Sequence, residues 1–219
     1  MPLDVFAPSR PSESRPTWLG PLNDPRNEAI LVAAFQVFVE KGLSGATMLE
    51  IATRAKVSKE TLYDRFDSRE GLFYALMAWG ARQTACKFDD FEARLAADPV
   101  RTMEDLIRDT LTAMLHEESI AVRRIAMSAA FQMPDVGLVY SEMTCGVGLP
   151  MIRELGAALS ARGVAQIDDL DAFADAFIGL MRGNLVDEVC LRVRPIPDEV
   201  EIAARAKQLT HRVLRAFAA

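Results

Sequence analysis

The chain holds 219 residues, half of them hydrophobic, enough for one large domain or for a small domain joined to a larger one around a sizeable core. No uncharged apolar run of about 18 residues occurs, which excludes an ordinary membrane-spanning helix. The net charge of −6 is unevenly placed: residues 1–89 carry 11 Lys/Arg against 11 Asp/Glu, leaving 14 against 20 beyond them, so only the first part suits a polyanionic partner.

Residues 1–22 concentrate Pro and Ser and read as a disordered arm. With Asp4 early and no apolar run behind a basic start, they do not resemble a secretion signal. Cys86, Cys145 and Cys190, odd in number and widely spaced, suit thiols in a reducing cytoplasm. Asp24-Pro25 then offers a helix cap followed by proline in the first turn. Ile30, Ala33, Ala34, Val37 and Phe38 recur at helical spacing until Gly42.

The run TMLE from Thr47 to Glu50 has the form of a capping box, opening a short helix over 47–55 with Ile51, Ala52 and Ala55 inward. Val57-Ser58 turns the chain, and Ser58 can cap a second short helix over 58–66 with Leu62 and Phe66 toward the core. Asp67-Ser68-Arg69-Glu70 caps again, and a long helix runs on through Leu72, Phe73, Leu76 and Met77. Further helices are predicted over 100–115, 118–133, 135–145, 149–162, 169–191 and 198–217, with no alternating strand pattern and no internal repeat. The fold class is all-α.

The helices over 47–55 and 58–66, joined by a tight turn, form a helix-turn-helix candidate. In such a pair the first helix braces across a nucleic-acid backbone and the second lies in the major groove. Lys59, Glu60, Tyr63 and Asp64 on one side and Leu62 and Phe66 on the other satisfy that division. A solvated amphipathic pair inside any helical bundle would show the same periodicity.

The wording of the segment is more specific. AILVAAFQVFVEKGLSGATMLEIATRAKVSKETLYDRFDSREGLFYALM, from Ala29 to Met77, resembles the TetR family of transcriptional regulators across the DNA-binding region of about residues 25–78. The matching features are an Ile-Leu…Ala-Ala…Phe first helix, EKG, Thr47, IA…A, VSKETLY, Phe66 and SREGLF. After the arm read from composition over 1–22, the resemblance implies a helix-turn-helix domain over 23–68 and a regulatory and dimerisation domain over 69–219. It also implies a homodimeric cytoplasmic repressor, a palindromic double-stranded DNA operator and an unknown small-molecule effector, with no cofactor, metal or membrane partner.

Carried over residue by residue, the family's contact positions fall on Thr47, Met48, Lys59, Glu60, Tyr63, Arg65 and Arg69, with Ser58 and Thr61 beside them. Thr47 suits a phosphate through its hydroxyl and the free amides behind it. Tyr63 looks like the family's phosphate-reaching tyrosine, and Lys59 could reach a guanine edge or a phosphate. Arg65 and Arg69 are backbone candidates. Glu60 departs from the small residue or proline common at its place, and reads either as a base contact or as a solvated surface acid.

Beyond residue 90 the resemblance is one of helix layout only. Phe88, Phe91, Met103, Met114, Met127, Phe131, Met143, Phe177 and Met181 read mostly as core, yet so many flexible thioethers also suit a pocket for an apolar effector. The last two predicted helices carry Leu170, Phe173, Phe177, Leu180 and Leu185, then Val200, Leu209, Val213, Leu214 and Phe217, as for a four-helix dimer bundle. Gly80 lies inside the long helix and is either a close-packing position or a hinge. His116 and His211 do not form a metal set with their neighbours. A helical enzyme is disfavoured by the missing nucleophile–base pair and phosphate loop. A helical DNA-binding or interaction protein without an effector stays open.

Overall fold

The computed structural model describes residues 24–85, 90–145 and 148–218, and every regular element among them is a helix. The arm expected over 1–22, together with Cys86 and Phe88, lies outside the described residues. In chain order the helices are α1 (Pro25–Gly45), α2 (Met48–Ala55), α3 (Lys59–Phe66), α4 (Arg69–Ala85), α5 (Phe91–Ala97), α6 (Pro99–Met114), α7 (Glu117–Ala130), α8 (Pro134–Cys145), α9 (Gly148–Ala161), α10 (Leu170–Arg182), α11 (Leu185–Cys190) and α12 (Glu199–Ala216). They pack as two compact units, each assembled from two stretches of sequence: the chain up to Arg82 with Ala121–Thr144, and Gln83–Ile120 with Cys145–Ala219.

In the first unit the helix ends follow the sequence signals. Asp24 accepts from the Arg26 amide at 2.9 Å, and Pro25 sits in the first turn, where no amide partner is needed. Gly42 takes φ +70° and breaks the helical backbone of α1 where the sequence marks it. Thr47 Oγ1 accepts from the Glu50 amide at 3.2 Å. The return half of the expected capping box is replaced, because the Glu50 carboxylate turns to Lys41 at 2.7 Å and Arg54 at 3.8 Å. Arg54 also grips Glu40 through two hydrogen bonds of 2.6 and 2.8 Å, binding α2 to α1. Lys56 closes α2 in the left-handed region, and Ser58, two residues later, caps α3. Gly71 serves a close approach: a Cβ there would lie 2.5 Å from the Phe66 carbonyl oxygen.

Phe38 of α1 and Phe73 of α4 meet edge to face, 5.4 Å between centroids, at the centre of this unit. Ile125, Ala126 and Ala129 of α7 and Val136 of α8 are buried in the same cluster as Leu72, Phe73 and Leu76. Within this unit, the head, α4 is a core element, and α7 and α8 pack into that core.

The second unit buries Met103, Leu155, Phe173, Phe177 and Leu209 from α6, α9, α10 and α12 in one cluster. Asp98 caps α6 with Pro99 in its first turn, close to the start expected at residue 100, and both halves of a capping box form between Asp198 and Glu201 at α12. The element α5 has no sequence forewarning, being seven residues long with no side-chain cap bond from Asp90. The helix expected over 169–191 is two helices, because Gly183 takes φ +45° and ends α10. Phe173, Phe177, Met181, Leu185 and Val189 stay buried at a spacing of four across that break, so periodicity alone could not report it.

Two expectations about apolar residues need correction. Met127 and Phe131 are not core: they are 63% and 93% exposed, since α7 turns Ile125, Ala126 and Ala129 inward and Phe131 follows its last turn. Of the residues expected in a dimer bundle, Phe173, Phe177, Leu185, Leu209 and Val213 are consumed within the chain's own core, while Val200 is exposed. Among the other pocket candidates, Phe91, Met103, Phe177 and Met181 are buried in the second unit and Met114 packs on them, whereas Met143 packs on the first unit's core.

Candidate nucleic-acid interface

The helix α3 is held by few contacts and displays many. Ser58 caps it, its Oγ accepting from the Thr61 amide at 3.0 Å and lying 2.8 Å from the Thr61 hydroxyl. Leu62 and Phe66 are buried, one turn apart on a single line. At about 100° per residue, Lys59 and Tyr63 fall on one flank of that line, Thr61 and Arg65 on the other, and Glu60 and Asp64 face directly outward. Lys59, Glu60, Tyr63 and Asp64 are all exposed. The Lys59 ammonium stands 5.5 Å from the Tyr63 ring centroid, inside cation–π range.

The positions brought forward by sequence divide on inspection. Thr47 spends its hydroxyl on the α2 cap, leaving the amides of Met48 and Leu49 at the helix start. The Met48 side chain is 5% exposed and packs into the head core, so it presents no side-chain surface; Leu49 beside it is exposed instead. Arg65 Nη1 donates to Asp24 Oδ2 at 2.9 Å and to Asn27 Oδ1 at 2.5 Å. Arg69 donates to the Ser44 and Ala46 carbonyls at 3.0 and 3.4 Å and to Glu70 Oε1 at 2.7 Å.

These partners carry an electrostatic signature. The Arg65 hydrogen bond, helped by the Arg26 amide, holds the Asp24 carboxyl below the usual aspartate range. Arg54 does the same for Glu40. At Glu70 burial pushes the carboxyl up, but the Arg69 hydrogen bond and the local backbone outweigh it and the net direction is down.

The seven cations from Arg26 to Arg69 therefore fall into two groups. Lys41, Arg54, Arg65 and Arg69 each form an ion pair with a carboxylate, whereas among the described residues Arg26, Lys56 and Lys59 form none within 4 Å, the Arg26 side chain acting on Asp24 only through its charge. Sequence reasoning singled out Lys59 but passed over Arg26 and Lys56. Arg26 sits in the first turn of α1 and borders an open groove with Ser58 and Thr61; Lys56 is exposed in the turn between the two short helices. The local signal was there for Lys56, immediately ahead of Val57-Ser58.

With that geometry in place, comparison with known proteins is direct. Residues 30–76 match the family described as bacterial regulatory proteins of the tetR family, and residues 101–219 match the C-terminal domain of AefR-like transcriptional repressors. A helix-turn-helix transcriptional regulator of Bacillus subtilis, YvkB, itself uncharacterised, is 27% identical over 80% of this chain and 90% of its own length. A TetR-family transcriptional regulator from Mesorhizobium loti superposes with a TM-score of 0.78 at 24% identity, covering 89% of this chain and 98% of that one. The flavonoid-responsive regulator FrrA superposes with a TM-score of 0.69 at 25% identity, covering 88% and 96%. No helix among the described residues is long and apolar enough to cross a membrane. A helix-turn-helix followed only by helices among the described residues, with family models of TetR-type regulators matching more than half of the chain, places this protein in the TetR family of DNA-binding transcriptional regulators.

Proposed function

We propose that the protein is a cytoplasmic, homodimeric repressor that occupies a palindromic operator and leaves it when a small, largely apolar effector binds. The observation that carries the DNA half of this reading is the outward array on α3, where Lys59, Glu60 and Tyr63 stand exposed. A dimer presents two such helices about one helical turn apart, ~34–36 Å on B-DNA. Repression is favoured by the match of residues 101–219 to a repressor domain. A small-molecule trigger is favoured by the likeness to FrrA, described as flavonoid-responsive. Phe91, Met103, Phe177 and Met181 are the side chains an apolar effector would displace, the thioethers being the adaptable ones.

Selection of bound sequences from random duplex tests the reading. It should return an inverted repeat, bound by a species of twice the chain mass. Recovery of no common sequence would overturn the operator assignment. With the site known, a reporter carrying it should be silenced by the protein; raised expression would make the protein an activator. Flavonoids and other planar aromatic compounds are the first effectors to try, and release of the duplex is the expected response.

A further inference from the structure

We propose that Arg65 is a positioning residue rather than a DNA contact: clamped between Asp24 and Asn27, it fixes the roll of the recognition helix and so sets how sharply one operator is told from another. The inference rests on the DNA-binding reading of α3. Its starting point is how little else holds that helix. Leu62 and Phe66 are its two buried side chains, and they lie on one line, a geometry that resists translation but leaves rotation about the line weakly opposed. Arg65 projects from the flank away from Tyr63. Its guanidinium reaches the Asp24 carboxylate, 41 residues earlier in the chain, and the side-chain oxygen of Asn27. Asn27 is 6% exposed, a buried polar group in the first turn of α1. Asp24 is itself the cap of α1. The last turn of α3 is thereby bonded to the first turn of α1, and a roll of α3 that moved Lys59 and Tyr63 along the groove would have to break both bonds.

The opposite reading, in which Arg65 contacts a phosphate, predicts opposite signs. A phosphate would have to compete with Asp24 for the guanidinium, so Asp24→Asn would free Arg65 and tighten binding to every duplex. Under the clamp, Asp24→Asn loosens α3 and weakens binding to the selected operator only.

The experiment uses the full chain, with Asp24→Asn, Arg65→Gln, Arg65→Lys and the Asp24→Asn/Arg65→Gln pair. Each is titrated with operator and scrambled duplex over a salt series, at a temperature where melting curves show it folded. The clamp predicts about a tenfold loss of operator affinity for Asp24→Asn and for Arg65→Gln, unchanged scrambled-duplex affinity, and an unchanged salt slope. Arg65→Lys keeps the charge but cannot satisfy both acceptors, and should recover part of the loss. The double variant should lose no more than either single, since both remove one device. Tighter binding by Asp24→Asn, or a salt slope reduced by about one per head in Arg65→Gln, overturns the proposal in favour of a phosphate contact. Lower melting with an intact operator-to-scrambled ratio overturns it in favour of a purely structural bond. The Asp24 carboxyl, followed by NMR, should titrate below its usual range and return toward it in Arg65→Gln; a normal titration in the unaltered protein overturns the clamp whatever happens with DNA. A wild-type protein that binds no duplex selectively while this titration is displaced would instead sink the operator reading.

Discussion

The ammonium of Lys59 stands 5.5 Å from the ring of Tyr63, one helical turn away on the same flank of α3. A lysine resting on an aromatic face is held near the groove with less side-chain entropy left to lose on binding. The two should therefore act as a coupled pair. Lys59→Ala should weaken every duplex and lower the salt slope by about 0.9 per head. Tyr63→Phe keeps the ring and removes only the hydroxyl, so it should weaken binding about tenfold at an unchanged slope if that hydroxyl reaches phosphate. Tyr63→Leu should cost more than Tyr63→Phe, and the excess should vanish in a Lys59→Ala background. Additive losses in that cycle would mean the contact has no role on DNA.

Glu60 faces outward beside Asp64, so α3 presents two exposed carboxylates. In a major groove phosphates would repel them, and a carboxylate there is useful only if it accepts from a base amino group, cytosine N4 being the usual partner of an acidic side chain. Glu60→Gly, which removes the acceptor altogether, should then bind more tightly overall while discriminating less at one base pair in each half-site. A uniform gain at all sequences would make Glu60 a surface charge.

The pairing of cations limits the electrostatic share of binding. Of the seven cations from Arg26 to Arg69, Arg26, Lys56 and Lys59 form no ion pair within 4 Å among the described residues. If all three met phosphate in both heads, the slope of log K against log salt would be about −5. A much steeper slope would require Arg65, Arg69 or the segment before Asp24 to join in. Titrating Arg26→Ala and Lys56→Ala separately assigns the increments, each expected to lower the slope by about 0.9 per head.

Acid should loosen the head. The carboxyls of Asp24 and Glu40 lie below their usual values because Arg65 and Arg54 hydrogen-bond to them. A carboxyl depressed in the folded state contributes stability that is present above its unfolded value and is lost as pH falls through its folded value. Melting temperature should therefore drop on acidification below the ordinary carboxylate range. The drop should be shallower in an Asp24→Asn/Glu40→Gln variant, and equal steepness in both proteins would remove these two pairs from the acid response.

Two glycines inside helices should respond in opposite senses. Among the described residues, a Cβ at Gly80 would meet no heavy atom within 4 Å, whereas one at Gly156 would come within 2.8 Å of the Phe173 ring. Gly80→Ala should raise stability by up to about 1 kcal/mol, the usual helix gain. Gly156→Ala should lower it by about 1–3 kcal/mol through overpacking between α9 and α10. Calorimetry of both variants checks the pair. If Gly80 is a hinge, its alanine variant should also bind operator and effector normally while releasing DNA less readily.

The helix boundaries of the head were legible in the sequence because capping is local chemistry: Asp24-Pro25, Thr47 and Ser58 act on amides two or three residues away. The break at Gly183 was not legible, because buried residues continue in phase across it. The site was legible as a face, through the spacing of Lys59, Glu60, Tyr63 and Leu62. Which arginines serve that face was not. Arg65 and Arg69 find their partners 41 and 25 residues back, and nothing in their neighbourhood announces Asp24 or Ser44. The exposure of Phe131 was likewise hidden, since it depends on which turn of α7 is the last to be covered.

The polypeptide passes from the first unit to the second after Arg82, returns at Ala121, and leaves again after Thr144. A hybrid regulator made by splicing a foreign effector module onto this head at residue 82 would discard α7 and α8. Leu72, Phe73 and Leu76 would then lose neighbours of their cluster, among them Ile125, Ala129 and Val136. Such a graft should express as an aggregating fragment even with its recognition helix intact. The transplantable piece is discontinuous, residues 24–82 together with 121–144, and a recipient must accept the excursion between them as an insertion.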